Sequence, residues 1–129
     1  MLKDSPQKPT ASELEILHVL WARGPSTVRE VHDALSEKKE LGYTTVLKLL
    51  QIMTAKGSVR RDEGQRAHVY EACQPATETK RQLVGDVLHR VFEGSASELL
   101  MHALDGRRTS KKELEELRRL LDEYERRSR

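Results

Sequence analysis

Cysteine, tryptophan and phenylalanine each occur once in these 129 residues, and aromatics make up only 4% of them. A single cysteine, Cys73, excludes an internal disulfide and is read as a structural or surface residue. No apolar run approaches the roughly 18 residues of a membrane span. The opening MLKDSPQKPT lacks the apolar core of a signal peptide. A cytoplasmic protein is expected. The histidines, His18, His32, His68, His89 and His102, pair neither with one another nor with Cys73 at ligand spacing, so no metal and no cofactor are expected. Glycine-rich phosphate loops, HExxH helices and nucleophile elbows are all missing. The reading is therefore not an enzyme, with no small-molecule substrate.

Charge is abundant. Charged residues are 34% of the chain, against about 25% in an average soluble protein. Leucine is the main apolar residue, a composition suited to short amphipathic helices. The net charge is only +2, so the total does not announce a nucleic-acid partner. The distribution says more. Residues 41–70 hold Lys48, Lys56, Arg60, Arg61 and Arg66 against Asp62 and Glu63, whereas acidic residues slightly outnumber basic ones over 1–40. A basic cluster on a near-neutral chain suits a DNA-contacting edge.

The pattern divides the chain into a tail (1–9), a first domain (10–75) and a helical second domain (76–129). Thr10 and Glu13 have the spacing of a capping box, opening a helix that carries Leu14, Leu17, Val19, Leu20 and Trp21. Gly24-Pro25 ends it, with Gly24 as a left-handed C-cap. Thr27 and Glu30 repeat the box before Val28, Val31, Ala34 and Leu35. A third helix starts near Thr44-Thr45 and stops at Lys56-Gly57. SVRR and RAHVYEA then read as two strands around a turn at Gly64. Three short helices followed by a basic hairpin is the order of a winged helix.

After Pro75 the chain is helical again. Thr77 is the expected cap of a helix ending at Gly94, Ser95 caps a shorter one, and Ser110 with Glu113 forms a third capping box. The last helix places Leu114, Leu117, Leu121 and Tyr124 at spacings of 3, 4 and 3, the stripe of a coiled-coil-like helix. The fold class is thus mainly α with a small β-hairpin wing: a winged helix-turn-helix followed by a helical dimerisation segment.

In the third helix, at about 100° per residue, Val46, Leu50 and Met53 share one face. Thr44, Lys48, Gln51 and Ala55 gather on the other, flanked by Thr45 and Ile52. Short hydroxyl side chains at a helix start approach phosphates closely, and Lys and Gln reach base edges, so Thr44, Thr45, Lys48 and Gln51 are the candidate major-groove residues. A solvated surface face would carry the same residue types; the helices before it and the hairpin behind it favour recognition. Arg60, Arg61 and Arg66 bracket the wing turn and suit phosphates or a narrow minor groove. Leu88, Val91, Phe92, Leu99, Leu100, Leu114, Leu117, Leu121 and Tyr124 are the candidate dimer contacts, an intramolecular three-helix bundle being the alternative. The competing functional class is a winged-helix module that docks a protein rather than reading DNA.

TASELEILHVLW, STVREVHDAL, GYTTVLKLLQIMTAKGSVRR, GQRAHVY, VFEGS and SKKELEELRRLL together closely resemble the BlaI/MecI/CopY penicillinase repressor family. The resemblance implies a homodimeric repressor on a dyad-symmetric double-stranded DNA operator. It also implies a membrane-bound zinc metalloprotease sensor whose signal ends in cleavage of the repressor's dimerisation region. Family members often carry Arg where this chain has Ile52. The β-lactam-responsive members are cut at an Asn-Phe bond in the helix before the last, where this chain has His102-Ala103. The copper-responsive branch uses a cysteine-rich C-terminal site that Cys73 alone does not supply.

Overall fold

The computed structural model describes residues 8–64 and 66–128. Of the expected tail, residues 1–7 lie outside the described residues. The order is α1 (Ala11–Arg23), β1 (Ser26–Thr27), α2 (Val28–Ser36), α3 (Tyr43–Lys56), β2 (Val59–Asp62), β3 (Val69–Ala72), α4 (Ala76–Arg90), α5 (Ala96–Asp105) and α6 (Lys111–Arg127). The chain forms two compact units that divide within α4, between Leu83 and Val84.

In the first unit both expected capping boxes are closed in both directions. Thr10 Oγ1 accepts from Glu13 N at 3.2 Å while Glu13 Oε1 accepts from Thr10 N at 3.1 Å. Thr27 and Glu30 repeat this at 3.1 and 2.9 Å. Each box satisfies two donors that a helix start otherwise leaves open. Gly57 ends α3 in the left-handed conformation (φ 87°, ψ 9°), and Ser58 N reaches back to Met53 O at 3.0 Å. Gly24 also has a positive φ of 90°, but its ψ of −166° is extended, not left-handed helical as the sequence suggested. The cause is Pro25, whose ring disfavours helical geometry in the residue before it.

That extended entry yields a strand not anticipated from sequence. Thr27, held at φ −78° and ψ 167° as the cap of α2, pairs with Val69, and Ser26 pairs with Tyr70. The hairpin therefore becomes a three-stranded antiparallel sheet in the order β1-β3-β2. Ile16, Leu17 and Leu20 from α1, Val28, Val31 and Leu35 from α2, and Val46, Leu50 and Met53 from α3 are buried together with Val59 and Tyr70 of the sheet. Tyr70 is the one aromatic in this buried cluster.

One polar pair joins this core. Glu13 is only 3% exposed, and both its oxygens accept from Lys56 Nζ, at 2.9 and 3.0 Å. The start of α1 is thereby tied to the end of α3. Trp21 Nε1 donates to Gln74 O at 3.0 Å and Thr79 Oγ1 to Gln74 Oε1 at 3.2 Å, which fixes the segment entering α4.

The second unit is built differently. α4 begins at Ala76, so Thr77 lies inside its first turn instead of capping it. The helix stops at Arg90, short of Gly94, because its last turn widens. Phe92 N reaches Val87 O at 3.4 Å, and Gly94 N closes on Leu88 O at 2.8 Å through positive φ at Glu93 (51°) and Gly94 (86°). Ser95 caps α5 as expected, accepting from Glu98 N at 3.1 Å. At α6 only half of the expected box forms. Ser110 Oγ accepts from Glu113 N at 3.1 Å, but the Glu113 carboxylate is taken by Arg107. From Lys80 to Ser128 no described residue is buried. The apolar residues of these helices thus form no closed intramolecular bundle core.

Candidate nucleic-acid interface

The two faces of α3 separate as the residue pattern predicts. Val46, Leu50 and Met53 are wholly buried, whereas Thr44, Thr45, Lys48, Gln51, Ile52 and Ala55 are all exposed. A helix anchored by three large aliphatic side chains on one side presents a rigid row of short and long polar side chains on the other. The helix begins one residue earlier than expected, so Tyr43 joins its exposed start.

The basic cluster is not uniformly available. Lys56 is committed to Glu13, which corrects its place in the charge count from the sequence. Arg60 faces Glu71 across the β2–β3 ladder and pairs with it at 3.3 Å. Arg61 stands opposite Tyr70, so both lie on the inner face of the sheet. Side-chain hydrogen bonds to Tyr70 and then to Glu63 hold the Arg61 guanidinium above its already high ordinary pKa. Lys48 and Arg66 make no hydrogen bond or ion pair to any described residue.

A residue that the sequence reading passed over joins them. Arg29, on the first turn of α2, lies over the Tyr43 ring with its guanidinium carbon 5.3 Å from the ring centre. This cation–π contact holds the charge beside the start of α3. His32 also meets the Tyr43 ring, edge-on with centroids 6.0 Å apart, and its Nε2 sits 2.8 Å from Leu41 O. A cleft of about 310 Å³ opens between these elements, lined by Arg29, Tyr43 and Leu47 on the helices, Arg66 and His68 on the wing, and Tyr70. Arg29 was hidden because it sits in a stretch whose charges nearly cancel; the Thr27 cap two residues earlier was the available signal.

The arrangement combines Lys48 and Arg66, which have no ion-pair partner among the described residues, and Arg29, stacked on Tyr43, with hydroxyl and amide side chains on a projecting helix face. It can neutralise phosphates along a ridge while offering hydrogen bonds to base edges.

The candidate dimer residues fall into two groups. Leu88, Phe92, Leu99, Leu100 and Leu117 are half-buried within their own unit, and Phe92 packs its ring 5.7 Å from that of His102. Val91, Leu114, Leu121 and Tyr124 are exposed, together with Val84, Val87, Met101 and Leu120, which are not among the candidate dimer contacts. Leu120 matters most of these. With it, the apolar face of α6 spans an arc of about 120°, wider than a strict a/d seam.

The penicillinase repressor family profile matches residues 9–123. The transcriptional regulator BlaI of Mycobacterium tuberculosis is 36% identical over 115 residues, 88% of this chain and 82% of that protein. The penicillinase repressor of Bacillus licheniformis is 25% identical over 126 residues, 98% of each chain. Among solved structures, the DNA-binding domain of the repressor BlaI superposes with a TM-score of 0.51 at 25% identity. Monomeric B. licheniformis BlaI in complex with the blaP half-operator gives 0.50, also at 25% identity; each covers 60% of this chain and 93% of the other. The first unit is thus a winged helix like that of these repressors. By its family profile and its 36% identical relative, the chain belongs to the penicillinase repressor family.

Proposed function

We propose that this protein is a homodimeric transcriptional repressor that binds a dyad-symmetric operator and is not an enzyme. The observation that carries the reading is the exposed face of α3, with Thr44, Thr45, Lys48 and Gln51 projecting beside the exposed wing residue Arg66. It belongs to a unit of the same fold as a repressor solved on its half-operator. In this reading Thr44, Thr45, Lys48 and Gln51 enter the major groove. Arg66 and Arg29 meet the phosphate backbone, and Arg60 and Arg61 serve the wing while bonded to their carboxylate neighbours. The helices beyond Leu83 join two copies, which supports a two-fold operator. DNA of the cytoplasm is the partner, and no small molecule is turned over.

Release follows a signal from a membrane sensor, by proteolysis or otherwise. What supports proteolysis is the family alone; His102-Ala103 on α5 is exposed but does not match the Asn-Phe bond at which the β-lactam-responsive members are cut.

The contact map has a direct test in ionic strength. Lys48→Ala should weaken binding, and where the Lys48 contact is to phosphate the slope of log affinity against log salt should also fall by about 1. Arg66→Ala should act in the same direction. Operator titrations at several salt concentrations measure both. If the two variants keep wild-type affinity and slope, the interface lies elsewhere.

A further inference from the structure

In the first unit, two large apolar residues are conspicuously exposed among those described: Tyr43 at 42% and Ile52 at 40%, both on α3. Tyr43 is accounted for by Arg29 and His32, which pack on its ring. Ile52 is not. It belongs neither to the buried core nor to the half-buried residues packed against that core. On α3 it lies about 20° around the axis from Thr45 and about 40° from Lys48, so the three form one row along the exposed face.

An isoleucine side chain has no donor, acceptor or charge, and therefore contributes nothing at a phosphate. In the major groove, one base-edge group is apolar: the C5-methyl of thymine. We propose that Ile52 is a specificity-determining residue that packs against a thymine methyl in each operator half-site. Lys48 on the same row supplies the polar contact beside it. The inference rests on the operator-binding reading above and deepens it. Ile52 would select thymine over uracil at one base pair, a preference that hydrogen-bonding residues do not create, because the two bases differ only in the methyl.

The test is a thymine scan. The bound site is first located by footprinting on DNA upstream of the protein's own gene. Each thymine is then replaced in turn by deoxyuridine, which removes the methyl and leaves every hydrogen-bonding group in place. One thymine per half-site should show about a fourfold loss of affinity when replaced, and about 16-fold when both half-sites are changed, from the contribution of one buried methyl. In Ile52→Ala the same replacements should have no further effect, since the contacting side chain is already gone. Circular dichroism should show that this variant folds as wild type, because the residue is outside the core.

The proposal is overturned if every deoxyuridine duplex binds wild type and Ile52→Ala in the same ratio as the thymine duplex. That result leaves operator binding itself intact. Absence of any specific complex overturns both readings, so the two failures are told apart.

Discussion

A Leu117→Asp/Leu121→Asp variant is expected to sediment as a monomer and to bind the operator about 10²–10⁴-fold more weakly than wild type, the loss of avidity when two linked sites become one. The expectation follows from how the second unit is built. From Lys80 to Ser128 no described residue is buried, although the helices carry regularly spaced aliphatic side chains. On α6, Leu121 is 59% and Tyr124 58% exposed in the single chain. A face of five large apolar residues, Leu114, Leu117, Leu120, Leu121 and Tyr124, needs a partner surface to leave water. Each leucine fully buried there contributes about 1.5–3 kcal/mol, and a carboxylate in its place must be desolvated without a partner. Arg119→Ala, on the polar side of the same helix, should leave the dimer intact. Sedimentation equilibrium and operator titration read both effects. A dimer that survives the double substitution would place the interface outside α6.

The second large effect is on stability. Glu13→Ala should lower the unfolding free energy of the winged-helix unit by about 3 kcal/mol, because Lys56 is left inside the protein without its counter-charge. Glu13 is 3% exposed, and the Lys56 side chain is 19% exposed, so water replaces the lost partner poorly. The substitution also removes the acceptor for Thr10 N, and with it half of the first capping box. Replacing both partners with apolar residues of similar size, Glu13→Leu/Lys56→Met, should restore most of the loss. Urea unfolding of the three proteins measures this. Equal stability of wild type and Glu13→Ala would mean that the pair is worth no more than a surface ion pair.

Much of this architecture is legible in the sequence because its signals are local. Thr10 and Thr27 each have Glu three residues on, and both boxes close in the structure. Val46, Leu50 and Met53 recur at helical spacing and all three are buried, which exposes the candidate recognition residues on the other side. The features that escaped are those decided by tertiary partners. A two-residue strand at Ser26–Thr27 has no periodicity to read; it exists because β3 lies beside the extended cap. Lys56 looks like any basic residue near a helix end until Glu13, distant in sequence, comes to meet it. Glu113 has the spacing to complete a box with Ser110, yet Arg107 takes its carboxylate. Arg29 is similarly silent until Tyr43 comes under its guanidinium.

The central claim is sequence-specific binding of DNA through α3 and the wing. Its most direct measurement is a titration of the full chain against DNA upstream of its own gene, with excess unrelated competitor and at rising salt. The account predicts a complex that resists competitor and protects two related half-sites spaced by about one or more helical turns. It also predicts that Lys48→Ala weakens this complex. Binding that unrelated DNA displaces equally well at every salt concentration would contradict it, and would favour a winged helix that docks a protein partner instead.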